Sequence, residues 1–247
     1  MLMRIPLTKY GLPEVVVYPA IVAAIMAGFA IISCGSLPVW AIILPEMALA
    51  AVLILVLFFF RDPARQPPIQ SGAAPAPEEN YLLSPADGRV TNIEMVEENN
   101  FIQAPAMRIG IFMSIFNAHV NRSPCNARVE RVTYKPGRNR NAANPDSGRV
   151  NQSNSLGLVR TDKPTEKLLI RQISGAIARR IVCRVRQGQK LTMGEKFGMI
   201  KFGSRCELYV QCPMRDASCV IKCLVQVGDK VKAGLTPLVK YEITDKI

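Results

Sequence analysis

Histidine, tryptophan and paired cysteines are scarce in this chain of 247 residues. It contains one histidine, one tryptophan and seven cysteines, and no two cysteines have the Cys-x-x-Cys spacing of structural zinc sites. A single histidine and unpaired cysteines argue against a metal centre, and we expect none. The odd number of cysteines favours reduced thiols in a domain that faces the cytosol.

Acidic and aromatic residues are also few. The chain has 31 lysines and arginines against 19 aspartates and glutamates, a net charge of +12, and the whole excess lies in residues 61–247. Such an excess suits nucleic acid or an anionic membrane surface. The basic segments 122–140 and 167–190 contain Tyr134 as their one aromatic residue. They lack the stacking platforms of single-strand binders, so we expect a membrane surface and no nucleic acid.

Charges are almost missing from the first 60 residues. Residues 15–33 carry no charge, and the second apolar run, 37–60, is interrupted only by Pro45 and Glu46. Each run is close to the ~20 residues that a membrane-crossing helix needs. Residues 1–60 are therefore predicted to form a transmembrane helical hairpin, with a buried soluble hairpin as the alternative. The flanking bases place both ends, and the rest of the chain, on the cytoplasmic side of the cell membrane: Arg4, Lys9, Arg61 and Arg65.

The remainder of the chain has no long helical periodicity. Residues 61–80 are rich in proline and predict a semi-extended linker. From residue 81 the chain is predicted to be mainly β, with a polar loop over 136–155. Residues 225–238 resemble the barrel-sandwich or hammerhead element of lipoyl and biotinyl domains. The predicted strands are 89–97, 107–116, 127–135, 167–173 and 176–186.

A Gly203-Ser204 pair lies between two strand-like runs, 199–202 and 206–212. Such a pair is most often a bulge or a tight turn. Glycine has no side chain to shield its carbonyl, however, so the Ser204 hydroxyl is also a candidate nucleophile toward Gly203. That attack converts the amide into an ester, an N-to-O acyl shift, if a base stands close by.

His119 and Asp87 are the candidate partners of Ser204. His119 is the only histidine, and its ordinary pKa near 6.5 suits proton transfer at neutral pH. Asp87 lies in a Pro/Gly turn, Ser84 to Gly88, just before a strand-like run, where an acid also serves as a turn-former. Together the three residues have the chemistry of a nucleophile, a base and an orienting carboxylate. The spacing alone does not bring them together.

Four ordered motifs resemble the phosphatidylserine decarboxylase family, closest to its short, membrane-anchored bacterial and archaeal-like branch. The resemblance covers roughly residues 58–240, including Phe-Phe-Arg-Asp-Pro at 59–63 and Val-Gly-Asp-Lys-Val-Lys-Ala-Gly at 227–234. The motifs are Ser-Pro-Ala-Asp-Gly (84–88), Phe-Asn-Ala-His-Val-Asn-Arg-Ser-Pro (116–124), Ile-Ala-Arg-Arg-Ile-Val-Cys (177–183) and Phe-Gly-Met-Ile-Lys-Phe-Gly-Ser-Arg (197–205).

The resemblance implies a pyruvoyl-dependent decarboxylase domain over residues 81–247. It implies self-cleavage between Gly203 and Ser204, which leaves a covalent pyruvoyl group derived from Ser204 and a heterodimer of fragments 1–203 and 204–247. His119 is then the candidate base, oriented by Asp87. The pyruvoyl ketone forms a Schiff base with the amine of a serine phospholipid, carbon dioxide leaves, and an ethanolamine lipid results. No metal or diffusible cofactor is implied, and diacyl and ether-linked lipids stay equally open.

Two segments depart from the family pattern. The longer bacterial and mitochondrial branch has a His-x-x-His pair, whose second histidine falls at Arg122 here, and that histidine is usually credited in the self-cleavage triad. The polar loop has Asn-Gln-Ser-Asn at 151–154 where the family often has Asn-Glu-Arg-Asn.

The alternative function is a membrane-anchored adaptor with a barrel-sandwich domain, which does not process itself and stays one intact chain.

Overall fold

The computed structural model describes residues 7–67, 81–138, 140, 147–162, 165–176, 180–201, 203–212 and 219–243. The chain divides into two compact units, residues 1–64 and 65–247. The predicted linker over 61–80 lies mostly outside the described residues. Its described part, residues 61–67, spans the boundary between the two units.

The first unit contains two apolar helices. A short 3-10 turn, Lys9–Gly11, leads into α1, Leu12–Ser33, and α2 follows at Val39–Phe59. Two spans, Glu14–Ser33 and Val39–Phe59, have mean hydropathies of 2.5 and 2.7, and only 6% of each is buried. Both are long and apolar enough to cross a membrane, and their exposed apolar side chains suit a lipid surrounding.

The two ends of the helical unit meet. The amide of Thr8 donates to the carbonyl of Phe60 at 2.9 Å, and Leu7 forms a bridge with Arg61. Gly11 lies against the Phe60 ring so closely that a Cβ at this position would stand 2.2 Å from it. The helices therefore form a hairpin whose entry and exit lie side by side, as the apolar pattern predicts.

The second unit is built almost entirely from strands, which confirms the mainly β prediction. A single turn of helix, α3, covers Ser147–Val150. In the described residues the strands are β1 Tyr81–Leu83, β2 Gly88–Glu98, β3 Ala104–Met113, β4 Val120–Arg122, β5 Ala127–Lys135, β6 Ser153–Arg160, β7 Lys167–Ile173, β8 Ile181–Cys183, β9 Lys190–Leu191, β10 Lys196–Ile200, β11 Ser204–Gln211, β12 Cys219–Cys223, β13 Lys230–Val231 and β14 Pro237–Ile243.

An antiparallel eight-stranded sheet organises this unit. Its order is β13-β2-β3-β11-β7-β6-β5-β9, and two three-stranded sheets, β1-β14-β12 and β4-β10-β8, accompany it. Alternate residues of the central strands, such as Ile111, Leu208 and Ile170, enter one apolar core. The other face of β11 carries Arg205 and Glu207, which are also buried. Residues 204–210 are thus covered on both faces, at the centre of the sheet.

Two predicted segments differ from the structure. Within the run 176–186, the described residues form only the three-residue strand β8, and residues 177–179 lie outside them. The predicted loop over 136–155 contains α3, and β6 begins inside it at Ser153. The polar composition of β6 was misleading because its polar side chains have partners inside the sheet, as the amide of Asn154 does with Gln172 at 3.0 Å.

Candidate active site

Gly203 and Ser204 form the entry into β11. The φ angle of Gly203 is +55°, in the left-handed region that glycine adopts without strain. Ser204 is fully buried, opposite Met113 of β3, and its Oγ donates to the Met113 Sδ at 3.3 Å. The pair is therefore a turn into a strand, and the hydroxyl next to the Gly203 carbonyl is shielded from water.

Asp87 is held by an arginine and a backbone amide. Its carboxylate oxygens accept hydrogen bonds from the two terminal nitrogens of Arg65, at 2.5 and 2.7 Å, and from the amide of Ala233 at 2.8 Å. Arg65 also donates to the Ala233 carbonyl at 2.8 Å. This arrangement ties the turn before β2 to the turn after β13. The predicted orienting contact between Asp87 and His119 stays a prediction.

His119 is fully buried just before β4. Its carbonyl accepts a hydrogen bond from the amide of Ile200 at 3.3 Å, which places it beside the end of β10, close in sequence to Gly203. The ring Nδ1 lies 2.9 Å from the carbonyl of Asn117. A carbonyl oxygen only accepts, so Nδ1 carries a proton, and Nε2 is the nitrogen that can act as a base when the ring is neutral.

The fold brings the three segments to one end of the sheet. Gly88, next to Asp87, packs so tightly that a Cβ there would lie 2.1 Å from the carbonyl oxygen of Phe112. The next residue of β3, Met113, pairs with Ser204. On the other side, the Pro85 carbonyl accepts from the amide of Arg122, at the end of the strand that follows His119, at 3.0 Å. The turn before β2, the segment before β4 and the start of β11 are therefore neighbours.

Arg122, which stands where the longer branch has its second histidine, is a buried residue that packs against two turns. Its Nη1 donates to the carbonyl of Gly194 at 3.0 Å. Its Cδ approaches Gly234 so closely that a Cβ there would be 2.9 Å away. Since Gly234 follows Ala233, Arg122 and Asp87 both contact the turn between β13 and β14.

A chain of buried amides, which sequence reasoning missed, links the same elements. Asn154 donates to Gln172 at 3.0 Å, Gln172 donates to Asn121 at 2.9 Å, and Asn121 donates to the carbonyl of Pro85 at 3.3 Å. Gln172 pairs with Cys206, so its side chain lies on the same face of the sheet as Ser204. Asn154 and Asn121 each lie in a segment that resembles the family pattern, but neither was singled out there, and Gln172 lies in none of these segments. Their contacts join distant parts of the chain, so the sequence does not show that the three amides meet.

A family model for phosphatidylserine decarboxylase matches residues 52–238, which include the hairpin exit and all three candidate residues. The chain belongs to the phosphatidylserine decarboxylase family. Three relatives named phosphatidylserine decarboxylase proenzyme are similar over nearly their whole length. The one from Rhodopirellula baltica is 38% identical over 240 residues, which cover 96% of this chain and 89% of the relative. Those from Syntrophus aciditrophicus and Nitrosomonas eutropha are 39% and 36% identical, covering 84% and 90% of this chain and 92% and 90% of their own.

These matches confirm the resemblance that the motifs indicate, and the prediction that this chain is a decarboxylase of this family. The name proenzyme, which all three relatives carry, describes a precursor that is processed.

Proposed function

We propose that this phosphatidylserine decarboxylase cleaves its own Gly203–Ser204 bond and then converts a serine phospholipid to the ethanolamine phospholipid and carbon dioxide. The observation that carries the proposal is the Gly203–Ser204 pair itself. A buried serine hydroxyl adjoins the carbonyl of a glycine that has no side chain, at the entry to a central strand. In a family whose relatives are named proenzymes, this is the bond that we assign to processing.

Self-cleavage proceeds in two stages in this proposal. In the first, Ser204 Oγ attacks the Gly203 carbonyl carbon, the C–N bond breaks, and the ester and a free amine result. In the second, the Ser204 Cα loses its proton, the Cβ–Oγ bond breaks, and Gly203 leaves as a carboxylate. Water then replaces the nitrogen, which departs as ammonia, and a ketone remains on the first residue of β11.

His119 is the base that we assign to both stages. Its Nδ1–H is fixed by the Asn117 carbonyl, so the basic nitrogen is Nε2. Asp87 is proposed to orient His119, and the Arg65 and Ala233 contacts support that role by fixing the turn that carries Asp87. General base catalysis by a positioned histidine contributes typically about 10²–10⁴-fold.

The site suits a pyruvoyl group derived from Ser204, because the group keeps the three carbons of that serine and needs no further space. The Ser204 side chain lies fully buried against Met113, where β11 pairs with β3. When present, a pyruvoyl ketone supplies an electron sink for the carboxylate that leaves as carbon dioxide. The chain's own contribution is to shield this position from bulk water and to hold it beside the segment of His119.

The helical hairpin is proposed to anchor the enzyme to the cell membrane with the β domain on the cytoplasmic side. Two helices with mean hydropathies of 2.5 and 2.7 support membrane association. The basic residues that flank them support the orientation. The charge excess of residues 61–247 then meets anionic headgroups, where each base near the surface contributes about 1 kcal/mol.

The intact mass of the purified full chain tests the proposal. We expect two fragments, residues 1–203 and 204–247, the smaller one without a free α-amine and trapped by borohydride in the presence of serine lipid. Ser204→Ala should give one intact, inactive chain. The matched control Ser155→Ala, at a half-buried serine of β6, should split normally. An unsplit wild-type chain that still releases carbon dioxide contradicts the processing, and an unsplit, inactive chain favours the adaptor.

A further inference from the structure

A groove of about 470 Å³ lies on the sheet face opposite the apolar core. Its floor is the outer face of β5, β6 and β7. One end is closed by Asn100 and Phe101 of the turn between β2 and β3, and the other by Gly148 and Arg149 of α3. The volume falls within the range of small-molecule sites, which is about 300–1,000 Å³, and exceeds what a single small ion fills.

The concavity arises from short side chains on the middle strand. On β6, Ser153, Ser155 and Gly157 line the floor, whereas the flanking strands carry longer side chains. The register sets these in rows across the sheet: Ser155 lies between Thr133 of β5 and Arg171 of β7. Gly157 is covered by the Phe101 ring, since a Cβ there would be 2.7 Å away. The groove is therefore built into the strand register.

Four bases line the groove: Arg131, Lys135, Arg149 and Arg171. In the described part of the chain none of them forms an ion pair with a carboxylate. Their side-chain hydrogen bonds go to uncharged acceptors. Arg131 donates to the Asn100 carbonyl at 3.0 Å, Lys135 to the Arg149 carbonyl at 3.2 Å, and Arg171 to the Tyr209 hydroxyl at 3.1 Å.

The carboxylate that lies beside Arg171 on the neighbouring strand, Glu207, forms an ion pair with Arg205. It accepts hydrogen bonds from Arg205 at 2.9 Å and from Tyr209 at 2.7 Å, and its side chain is 1% exposed. Burial, together with the negative charge of Glu207, raises the pKa of Tyr209 above its ordinary value. Tyr209 therefore stays neutral and adds no negative charge beneath Arg171. A concave surface lined by one sign of charge concentrates counter-ions.

We propose that this groove binds the phosphate group of an anionic ligand, a phosphomonoester or phosphodiester. Guanidinium groups recognise phosphate through paired hydrogen bonds, and the hydroxyls of Thr133 and Ser155 add neutral donors in the same row. The ligand is either a soluble phosphate or the headgroup of an anionic phospholipid.

The groove is separate from the proposed catalytic centre. Successive residues of a strand point to opposite faces, and Ser204 shares the core face with Cys206. Arg171 pairs with Glu207, whose side chain points to the other face. A substrate whose amine reacts at Ser204 has its phosphate only a few bonds away, so that phosphate stays on the core side. The groove is thus a second site, and it does not depend on the proposed reaction.

Titration calorimetry on the full chain in a neutral, phosphate-free detergent tests the groove. The probes are inorganic phosphate and dihexanoyl phosphatidylglycerol below its micelle concentration. Two variants are compared with the wild type. One is a double variant, Arg131→Gln with Lys135→Gln, at two exposed side chains, and the other is the single variant Arg171→Gln. Arg128→Gln is the matched control, since Arg128 lies on the same strand but pairs with Glu130 outside the groove. A thermal melt verifies that each variant is folded.

We expect the double variant and Arg171→Gln each to weaken binding about tenfold or more, as for lost charge-assisted hydrogen bonds, and Arg128→Gln to change it less than twofold. Binding of both probes identifies phosphate itself as the ligand group, and binding of the lipid alone identifies an anionic headgroup. Ser204→Ala should bind as the wild type does, whether or not the chain splits. The proposal is overturned if neither probe binds, or if the folded groove variants bind as tightly as Arg128→Gln.

Discussion

Two requirements apply to Ser204. Its hydroxyl must reach the preceding carbonyl, and its position must be shielded from bulk solvent. Placing the residue at the first position of a central strand meets both, because Gly203 turns the chain with a φ of +55° and β3 covers the side chain with Met113. The hydroxyl therefore depends on a buried base, since bulk water has little access to it.

His119→Ala is expected to block this self-cleavage. The fixed Nδ1–H leaves Nε2 as the base, and the sequence contains no other histidine to replace it. The rate should fall about 10²–10⁴-fold, measured as the fraction of split chain over time on a denaturing gel. The control is Asn126→Ala, at a polar residue bonded to Asp162. Maturation of His119→Ala at the wild-type rate would place the base elsewhere, with the surroundings of Arg122 examined next.

The effects of substituting Asp87 and Arg65 on stability are expected to be coupled. Both side chains are 9% exposed, and removing one partner of a buried pair typically costs about 3–5 kcal/mol because the other charge is left uncompensated. Asp87→Ala should therefore slow cleavage strongly and lower the unfolding midpoint, and Arg65→Met should lower that midpoint too.

The double variant separates the structural role of Asp87 from its proposed catalytic role. Asp87→Asn with Arg65→Met removes both charges and should recover part of the lost stability, while cleavage stays slow. If cleavage recovers together with stability, Asp87 acts only by holding the turn. Urea unfolding and the cleavage time course, measured on the same preparations, distinguish these two results.

One buried carboxylate holds the backbone of the turn between β2 and β3. Glu98 is 3% exposed and accepts hydrogen bonds from the backbone amides of Asn100, Phe101 and Ile102, at 3.1, 2.8 and 2.8 Å. Burial alone would raise the pKa of Glu98, but these amides outweigh it, and the pKa is lowered. The same turn supplies Asn100 and Phe101 to the basic groove, so its geometry affects that site as well.

Glu98→Gln is expected to destabilise the β domain by about 1–3 kcal/mol at neutral pH, because an amide accepts those hydrogen bonds less well. A lowered folded-state pKa stabilises the protein above the unfolded pKa, near 4.3, and this contribution is lost as the pH falls through the folded pKa. The difference between wild type and variant should therefore shrink below about pH 4. Unfolding midpoints from pH 7 to pH 3 measure it, and a constant difference contradicts the prediction.

The β domain is expected to fold without the helical hairpin. Deletion of residues 1–60 removes both apolar spans and should leave a protein that is soluble or bound to anionic vesicles in a salt-reversible way. Sedimentation with vesicles of phosphatidylglycerol at low and high salt measures this, and vesicles of phosphatidylcholine are the control. A truncated protein that stays embedded through high-salt and carbonate washes contradicts the membrane assignment.

Features that arise from local sequence patterns were predictable, and features that depend on contacts between distant segments were not. Apolar runs and alternation are local patterns, so the hairpin, β2, β3, β5 and β7 were predictable. The residue types of Ser204, His119 and Asp87 identified them as candidates. Arg65 was interpreted only as a flanking charge, because nothing local shows that it meets Asp87, 22 positions away. The groove was not predictable from the sequence either, because it depends on the register of three strands.

The two expected fragments should stay together after cleavage. Fragment 204–247 contains β11, which pairs with β3 on one side and β7 on the other, and β14, which pairs with β1. Cleavage at Gly203 breaks one peptide bond at the start of β11 and leaves those ladders intact. The buried side chains of the small fragment, such as Leu208, Val210 and Tyr241, belong to the same core as those of the large one. Separation would expose that core to water at about 25 cal/mol for each Å².

Size-exclusion chromatography of the mature protein in a mild detergent tests this expectation. Both fragments should elute in one peak at equal molar amounts and separate only after denaturation. Leu208→Asp places a charge in the shared core and should release the small fragment or prevent folding, whereas the control Lys222→Asp, at an exposed position of β12, should not. Decarboxylation by the large fragment after complete loss of residues 204–247 would contradict both this assembly and the assignment of Ser204.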